Sequence, residues 1–332
     1  MATITIKEIA NLAGVSTATV SRVLNESGGY SEETKQRVLE ILRQNNYQTN
    51  VVAKSLRTKQ SKTVGVIVPD ITNEYYARIA LAIENFFVPN GYSIFIYNTS
   101  EDSAKERLLI RDVVARGVDG LISISGTMNV LNEAKKHGLP IVCINRRETL
   151  SEEVRVIESD NFRGGFMATE ELLRQGCRNI VLIRNRRDNF PMNERHRGYC
   201  EALKTYGFEI DKNLVRPIIF DVHYATECIE QLIRADVTFD GIFACADLMA
   251  IGALKALRDH QKRVPQDVKV VGFDNINFSE HSYPPLTTIE QDKETLGTKA
   301  SQTLLSLMED KELSGETTTV LPVTLIKRET TL

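Results

Sequence analysis

The chain has 332 residues, of which 42% are hydrophobic and 26% charged, and its formal net charge is −3. This balance excludes a disordered or fibrous protein, and the length suits a small domain followed by two larger lobes. No apolar run is long enough to span a bilayer and no secretory signal opens the sequence, so we expect a cytoplasmic protein without a membrane partner.

The charge is distributed unevenly along the chain. Residues 1–62 contain nine Lys or Arg, five Glu and no Asp, which gives a net charge of +4, so the remaining residues carry −7. A basic head followed by an acidic body is expected when only the head meets DNA phosphates.

Five cysteines are scattered through the sequence, without a CxxC pair or a histidine at metal-ligand spacing. Dispersed thiols are typical of buried residues in a reducing compartment. We therefore expect no metal and no cofactor.

Short helices are predicted at the start of the chain. Apolar residues at helical spacing predict a first helix over 6–12, and Gly14 can take the positive φ of a tight turn. Ser16 is placed to cap a second helix over 17–25, and Ser31 to cap a third. The expected core residues of the second and third helices are Val20, Val23, Leu24, Val38, Leu39, Ile41 and Leu42.

Two short helices joined by a glycine turn predict a helix-turn-helix unit, although an ordinary helical hairpin has the same spacing. Small residues on the second helix let the backbone approach DNA bases, and Arg22 can contact guanine O6 and N7. The string AGVSTATVSRVLN, preceded by IKEIANL, resembles the head of the lactose/galactose repressor family. The resemblance implies DNA contacts at Thr5, Ser16, Thr17, Ala18, Thr19, Ser21, Arg22, Asn25 and Tyr47.

Residues 49–62 contain a short helical pattern that Asn50 can cap, and a helix this short is unstable alone in water. In the family this segment is the hinge helix, which orders on operator DNA and pairs with its dimer mate in the minor groove. The resemblance implies DNA contacts at Asn50, Ala53 and Leu56, with Leu56 as the side chain that wedges between base pairs. A flexible linker is the alternative.

From Thr63 onward, short apolar runs alternate with helical stretches such as 75–90 and 162–175. This alternation predicts an α/β body whose strands are parallel and buried on both faces. The runs form two successive sets, at 64–68, 93–97, 120–123 and 141–144, and then at 180–183, 241–245 and 268–273. They indicate two doubly wound parallel-sheet lobes.

The body resembles the periplasmic-binding-protein type I body of the same family. The string YPPLTTI at 283–289 matches the family's crossover back to the first lobe. The resemblance divides the chain into a head (1–48), a hinge and linker (49–62), an N-terminal lobe (63–160 plus 289–318) and a C-terminal lobe (161–288 plus 319–332).

Ligands of doubly wound sheets bind beyond the carboxyl ends of the strands, here between the lobes. Strand ends and matched family positions together give the effector candidates Asp70, Asn73, Tyr75, Tyr76, Arg195, Asp247 and Asp274. Aromatic rings beside carboxylate and amide groups suit a sugar. As alternatives, the two acids Asp70 and Asp247 can be helix caps, the tyrosines core residues and the arginine a surface residue.

Two positions depart from the family pattern. Ala246 replaces a residue that is often polar in relatives, and an Arg-Asn-Arg-Arg string at 184–187 occupies a loop that is usually uncharged. Arginine clusters favour carboxylates and phosphates, so we expect an anionic effector, with solvated loop arginines as the alternative.

The sequence thus predicts a transcriptional repressor that binds a palindromic double-stranded operator as a homodimer and is switched by a sugar, sugar acid or sugar phosphate. No C-terminal leucine heptad that would build a tetramer is visible. A transport-type solute-binding protein and an enzyme using the cleft are the competing classes. The intact head argues against the first class, and the absence of a GxSxG, P-loop or GxGxxG motif argues against the second.

Overall fold

The computed structural model describes residues 4–45, 47, 60–100, 102–124, 128–146, 154–187, 189–311 and 316–332. Contacts divide the chain after Ser61 into two compact units. Among the helices of these described ranges, none is long and apolar enough to cross a membrane.

In the described residues of the N-terminal unit, three helices surround one small core. Helix α1 is Ile6–Ala13, α2 is Thr17–Leu24 and α3 is Glu32–Gln44. Its buried side chains are Ile9, Ala10, Ala13, Val20, Val23, Val38 and Leu42. The core prediction is wrong for Leu39, which is 40% exposed, because each residue turns about 100° around a helix from the one before it.

The predicted turn and helix caps of this unit are confirmed. Gly14 has a φ of 66°, a left-handed conformation that a side chain disfavours. The hydroxyls of Ser16 and Ser31 accept hydrogen bonds from the N–H groups of Thr19 and Thr34, at 3.1 and 3.2 Å. These bonds satisfy N–H groups that have no partner within the helix, so α2 and α3 begin at defined residues.

The first sheet of the second unit is entirely parallel. Its strands are β1 Thr63–Val68, β2 Ser93–Asn98, β3 Gly120–Ile124, β4 Ile141–Ile144, β5 Arg155–Ser159 and β11 Thr318–Leu321, in the order β11-β5-β4-β3-β1-β2. Its helices are α4 Glu74–Phe87, α5 Ser103–Ala115, α6 Met128–Lys136 and α12 Lys293–Met308. Val64, Val66 and Val68 belong to one buried cluster and Ile67 to another, so β1 is covered on both faces.

The second sheet repeats this plan. Its strands are β6 Ile180–Asn185, β7 Val215–Ile218, β8 Gly241–Ala244, β9 Lys269–Asp274, β10 Thr287–Gln291 and β12 Val323–Ile326, in the order β12-β10-β9-β8-β6-β7. Its helices are α7 Asn161–Arg174, α8 Phe190–Thr205, α9 Val222–Arg234, α10 Asp247–Asp259 and α11 Asn277–His281. All pairings are parallel except that of β10 with β12. The predicted class, a helical head followed by two doubly wound lobes, is confirmed.

Strand β2 differs from the prediction of strands buried on both faces. It pairs with β1 on one side and lies at the edge of the sheet. The side chains of Phe95 and Ile96 are 43% and 48% exposed. An apolar run predicts a strand, but its position within the sheet depends on pairing that the run itself does not encode.

The chain passes between the two sheets three times. The first passage follows β5 and leads into α7. The second and third follow Gln291 and Leu321, because β10 pairs with β9 and β12 while β11 pairs with β5. Helix α12, which follows the second passage, packs against α4 and strands β3 to β5.

Helices α7 and α8 pack with their backbones in close contact. A Cβ atom added to Gly165 would lie 2.2 Å from the carbonyl oxygen of Arg195, and one added to Gly198 would lie 2.2 Å from that of Phe162. Glycine at both positions permits this approach, which fixes Arg195 relative to α7.

We expect Gly165→Ala to lower the free energy of unfolding by roughly 1–3 kcal/mol, because the methyl group would push α8 away. This reverses the usual gain of about 1 kcal/mol from alanine in a helix. Urea denaturation measures the effect, and Arg163→Ala, on the exposed side of α7, is the control with an expected change within about 0.5 kcal/mol. Unchanged or increased stability of Gly165→Ala would contradict the packing argument.

Candidate functional site

The outer face of α2 presents the residues predicted to read DNA. Thr17, Ala18 and Arg22 are exposed, while Ser21 is half-buried. The side-chain amide of Asn25 donates to the Ser21 carbonyl oxygen at 2.6 Å and ends the helix. Short side chains beside one exposed guanidinium leave this face able to approach base edges.

The remaining predicted contacts of the head lie at the starts of α1 and α2 or against the head core. The Thr5 backbone N–H donates to the Glu8 carboxylate at 2.7 Å, and this bond lowers the pKa of Glu8. The hydroxyls of Ser16 and Thr19 are 2.9 Å apart, and Tyr47 is half-buried against the head core. The predicted hinge contacts Asn50, Ala53 and Leu56 lie outside the described residues.

A small cavity of about 30 Å³ lies among residues that follow strands of both sheets. It is lined by Asn73, Tyr75, Tyr76, Asn145, Asn189, Pro191, Met192, Arg195, Phe220, Ala246 and Asp274. Five of the predicted effector residues are in this lining, from α4, α8 and the end of β9. The structure therefore brings residues more than 190 positions apart into one site.

Arg195 and Asp274 form the charged centre of this cavity. The Arg195 Nη1 atom lies 3.7 Å from Asp274 Oδ1, and both side chains are over nine-tenths buried. Nη1 also donates to the Cys245 carbonyl oxygen at 2.5 Å, and the guanidinium lies 3.6 Å from the centre of the Phe273 ring. The cation is held by the strand ends of the second sheet.

Side-chain amides connect this pair into a ring of hydrogen bonds. Arg195 Nε donates to Asn161 Oδ1 at 2.9 Å, and Asn161 Nδ2 donates to Asn145 Oδ1 at 3.4 Å. Asn145 Nδ2 in turn donates to the Tyr75 hydroxyl at 2.5 Å. The Tyr75 hydroxyl donates to Gln291 Oε1 at 3.2 Å, and Gln291 Nε2 donates to Asp274 Oδ1 at 2.6 Å, which closes the ring.

Burial has the largest influence on the pKa of the acid in this ring. Burial raises the pKa of Asp274 to about 6, although Arg195, Lys293 and the Gln291 amide each lower it. Burial also raises the pKa of Tyr75, which stays a neutral hydroxyl. The neighbouring groups offset the desolvation of this carboxylate only in part, so it can accept further hydrogen bonds from a bound molecule.

Asp70 lies at a neighbouring cavity of about 410 Å³, which shares the walls Tyr76 and Phe220 with the smaller one. Its carboxylate accepts hydrogen bonds from the N–H and hydroxyl groups of Thr72 at 2.9 and 2.7 Å. The helix-cap role belongs instead to Asn73, whose Oδ1 accepts from the Tyr75 N–H at 3.0 Å.

The arginine string divides between two environments. Arg186 and Arg187 are exposed and line the larger cavity. Arg184 is buried inside the second lobe, where it donates to Asn193 Oδ1 at 2.9 Å and lies 3.3 Å from His196 Nδ1. Arg184 belongs to β6, which is buried along its whole length, whereas Arg186 and Arg187 follow the end of the strand.

Asp247 is not among the lining residues of either cavity. It is fully buried at the start of α10, where it accepts hydrogen bonds from the Ile276 N–H at 3.0 Å, the Thr288 hydroxyl at 2.5 Å and the Ser279 hydroxyl. This acid holds the segment after β9 against α10 and β10. Burial, followed by the nearby Asp274 charge, raises its pKa to about 7.

Sequence reasoning missed the amides of the ring and one aromatic wall of the cavity. Asn145 directly follows the apolar run of β4, so the strand-end argument that selected Asp70 would have selected it as well. Asn161 and Gln291 lie at passages between the sheets, and Phe220 follows the weakly apolar strand β7. Ala246, noted as a departure, lines the cavity as an apolar residue.

We expect the stability of the protein to depend on pH through Asp247. Its folded-state pKa of about 7 exceeds the ordinary value of 3.8, so the folded state binds the proton more tightly. The free energy of unfolding therefore falls as pH rises from about 4 to 7, by at most about 1.4 kcal/mol for each pH unit. Chemical denaturation between pH 5 and 8 should show wild type losing stability relative to Asp247→Asn.

Asp259→Asn, an exposed position at the end of the same helix, is the matched control and should not produce this slope. A constant difference between wild type and Asp247→Asn from pH 5 to 8 would contradict the burial argument.

Comparison with known proteins agrees with this geometry over the whole chain. Residues 5–50 match the bacterial regulatory proteins of the lacI family, and residues 169–331 match the periplasmic binding protein-like domain. The ribose operon repressor of Halalkalibacterium halodurans is 35% identical over 327 residues, covering 98% of this chain and 97% of that protein.

Solved structures extend the likeness to three dimensions. The lac repressor dimer bound to operator and the anti-inducer ONPF matches with a TM-score of 0.90 at 26% identity, covering 100% of both chains. The complex of the transcriptional regulator CelR with cellobiose matches with a TM-score of 0.76 at 29% identity, covering 98% of this chain and 99% of that one. These relatives are transcriptional regulators and not enzymes. On the identity to the ribose operon repressor over nearly its whole length, the chain belongs to the lacI family of bacterial regulatory proteins, as a DNA-binding transcriptional repressor.

Proposed function

We propose that this repressor binds a palindromic operator as a homodimer, and that a sugar-like effector in the cavity beside Arg195 and Asp274 controls its operator affinity. The observation that carries the effector part is the buried Arg195–Asp274 pair closed into a ring with residues of both lobes. A molecule that binds these two residues changes contacts on which the relative position of the lobes depends.

In the DNA-binding part, α2 enters the major groove and the helix ends meet phosphates. Arg22 and the small residues before it read the bases, while lysines and arginines of the head add salt-dependent affinity. The proposed contacts are Thr5, Ser16, Thr17, Ala18, Thr19, Ser21, Arg22, Asn25 and Tyr47 in the head and Asn50, Ala53 and Leu56 in the hinge. We assign 1–48 to the head, 49–62 to the hinge, and the remainder to the two lobes, in a protein that acts in the cytoplasm.

Exposed apolar residues of the first lobe support the homodimer. Phe95 and Ile96 lie on edge strand β2, and Leu81 and Val88 on or next to α4 are 48% and 52% exposed. Apolar edge strands are normally covered, because their free backbone groups and side chains otherwise promote aggregation. We assign a second copy of the chain as the cover, and two-fold symmetry then requires a palindromic operator.

The chemistry of the cavity suits a sugar. Asp274 can accept hydroxyl hydrogen bonds, Arg195 can donate them, and Tyr76 and Phe220 offer apolar ring faces. A cavity of about 30 Å³ has room for a few water molecules and is too small for a sugar ring. A sugar therefore enters only when the walls separate, so its binding is coupled to the position of the lobes.

The larger cavity extends the proposal to sugar acids and sugar phosphates. Arg186 and Arg187 on its wall can bind a carboxylate or phosphate while the sugar ring occupies the shared space near Tyr76 and Phe220. Asp70 on the same lining reduces the net positive charge, and Arg184 lies elsewhere. A neutral sugar is the alternative that experiment must distinguish.

We expect Arg22→Ala to weaken operator binding and relax the preference at one base pair in each half-site, with a loss of about 1–3 kcal/mol of discrimination. Binding to a library of operator variants measures this preference. Arg43→Ala, exposed on α3, is the control for lost charge and should leave the base preference intact. An unchanged preference in Arg22→Ala would contradict base reading by this residue.

A thermal-shift screen should identify the effector class, because a ligand of the folded state raises the melting temperature with concentration. The screen compares neutral sugars, sugar acids, sugar phosphates and nucleobases, and each hit is then tested in operator binding. We expect a hit to change operator affinity by about 5–150-fold, with release identifying an inducer and tightening a co-repressor. Asp274→Asn should abolish the response.

The double variant Arg186→Ala, Arg187→Ala separates the two classes of effector. Loss of the response to an acid or phosphate, with the response to its neutral sugar kept, supports the anionic effector. Equal affinity of the wild type for the neutral and anionic forms would contradict it. Conversion of any hit into a product would contradict the binding role of the cavity.

A further inference from the structure

Lys293, the first residue of α12, contacts the turn formed by Asp274 and Asn275. Its side chain is 12% exposed, and Nζ donates to the Asp274 carbonyl oxygen at 2.6 Å and to Glu290 Oε1 at 2.6 Å. Nζ also donates to the Gln291 carbonyl oxygen at 3.1 Å and contacts that of Asn275 at 3.4 Å. One ammonium group thus joins the ends of β9 and β10.

The turn that Lys293 contacts has an unfavourable backbone. Asp274 has a φ of 111° and Asn275 a φ of 47°, so two successive residues with side chains lie in the region that favours glycine. Such conformations persist only where surrounding contacts hold them, and they cluster at ligand-binding sites.

Other contacts also hold this turn. Asn275 Nδ2 donates to Glu290, and Arg328 donates to Asn275 Oδ1 at 2.9 Å. Gln291 Nε2 holds the Asp274 carboxylate at 2.6 Å. Lys293 adds a bond to the carbonyl oxygen of Asp274, the residue with the more unusual φ, which is also paired with Glu290 in the parallel ladder of β9 and β10.

Lys293 also belongs to a helix of the other lobe. Helix α12 follows the second passage between the sheets and packs against α4 and strands β3 to β5 of the first sheet. A shift of the Asp274 turn therefore displaces the first residue of a helix whose main packing contacts lie in the first lobe.

We infer that Lys293 is a positioning residue that holds Asp274 in its effector-binding conformation and transmits movement of that turn to the first lobe through α12. The inference rests on the effector-binding part of the proposed function. The positioning itself can be measured without any ligand.

The variant is Lys293→Met, which keeps the length of the side chain and removes its charge and donors. Lys293→Arg keeps a cation, and Lys299→Met makes the same change at an exposed position of α12. All three are compared with wild type as the full chain, after thermal melting has shown that each is folded.

The first measurement follows amide hydrogen exchange in residues 272–278 and the carboxyl titration of Asp274 by NMR. We expect exchange at least tenfold faster in Lys293→Met, with partial recovery in Lys293→Arg and no change in Lys299→Met. The pKa of Asp274 should rise in Lys293→Met, because this cation and Arg195 lower it while Glu290 and burial raise it. Asp247, the other acid close to this turn, is replaced by Asn in a parallel set so that its titration does not interfere.

The second measurement uses D-ribose as the probe, since a ribose operon repressor is among the relatives. We expect its affinity to fall 10-fold to 100-fold in Lys293→Met and to be unchanged in Lys299→Met. If wild type does not bind D-ribose, that effector is excluded and the exchange experiment still decides the role of Lys293. Unchanged exchange and an unchanged Asp274 titration in a folded Lys293→Met protein would overturn the inference, and so would a lower melting temperature without either local effect.

Discussion

Burial of two opposite charges, on Arg195 and Asp274, is the constraint that organises the body of this protein. A charge out of water is stable only when its partner and its hydrogen bonds are supplied by the surrounding structure. Here the hydrogen bonds come from side-chain amides at the passages between the sheets. Asn161 at the first passage accepts from Arg195, and Gln291 at the second donates to Asp274. The glycine contact between α7 and α8 places the cation, and the turn after β9 places the acid.

The ring compensates the charges only in part, and this suits a binding site. Asp274 has a raised pKa in spite of a neighbouring arginine and lysine, so desolvation exceeds the attraction that these groups provide. A polar ligand that adds hydrogen bonds to the carboxylate relieves this cost. Asp247 has the opposite arrangement, since three donors from its own lobe surround it and it lines neither of the two cavities described above. Under the proposed function, these two acids have different roles: Asp274 binds the ligand and Asp247 stabilises the fold.

Local patterns in the sequence predicted those features that local chemistry determines. Gly14 marked the turn of the head, Ser16 and Ser31 marked helix starts, and continuous Val and Ile runs marked parallel strands. Arg195 and Asp274 are 79 positions apart, so no local pattern connects them. The family likeness selected both residues, and both line the cavity.

The features that sequence did not predict depend on tertiary pairing. The exposure of Phe95 follows from the place of β2 at the sheet edge, and the burial of Arg184 follows from the place of β6 inside the second sheet, between β8 and β7. The amides Asn145, Asn161 and Gln291 belong to three separate segments, and only the folded chain shows that they share one set of hydrogen bonds.

The last strands of the chain have a consequence for its biosynthesis. Strand β11 forms an edge of the first sheet and β12 an edge of the second, and both follow all the other strands along the chain. Neither lobe can therefore complete its sheet until residues 318–326 have left the ribosome, when most of its other residues have already emerged. The head, whose described helices share one local core, can fold early, whereas the body must remain partly open until these strands emerge, a period in which unpaired edges favour chaperone binding or aggregation.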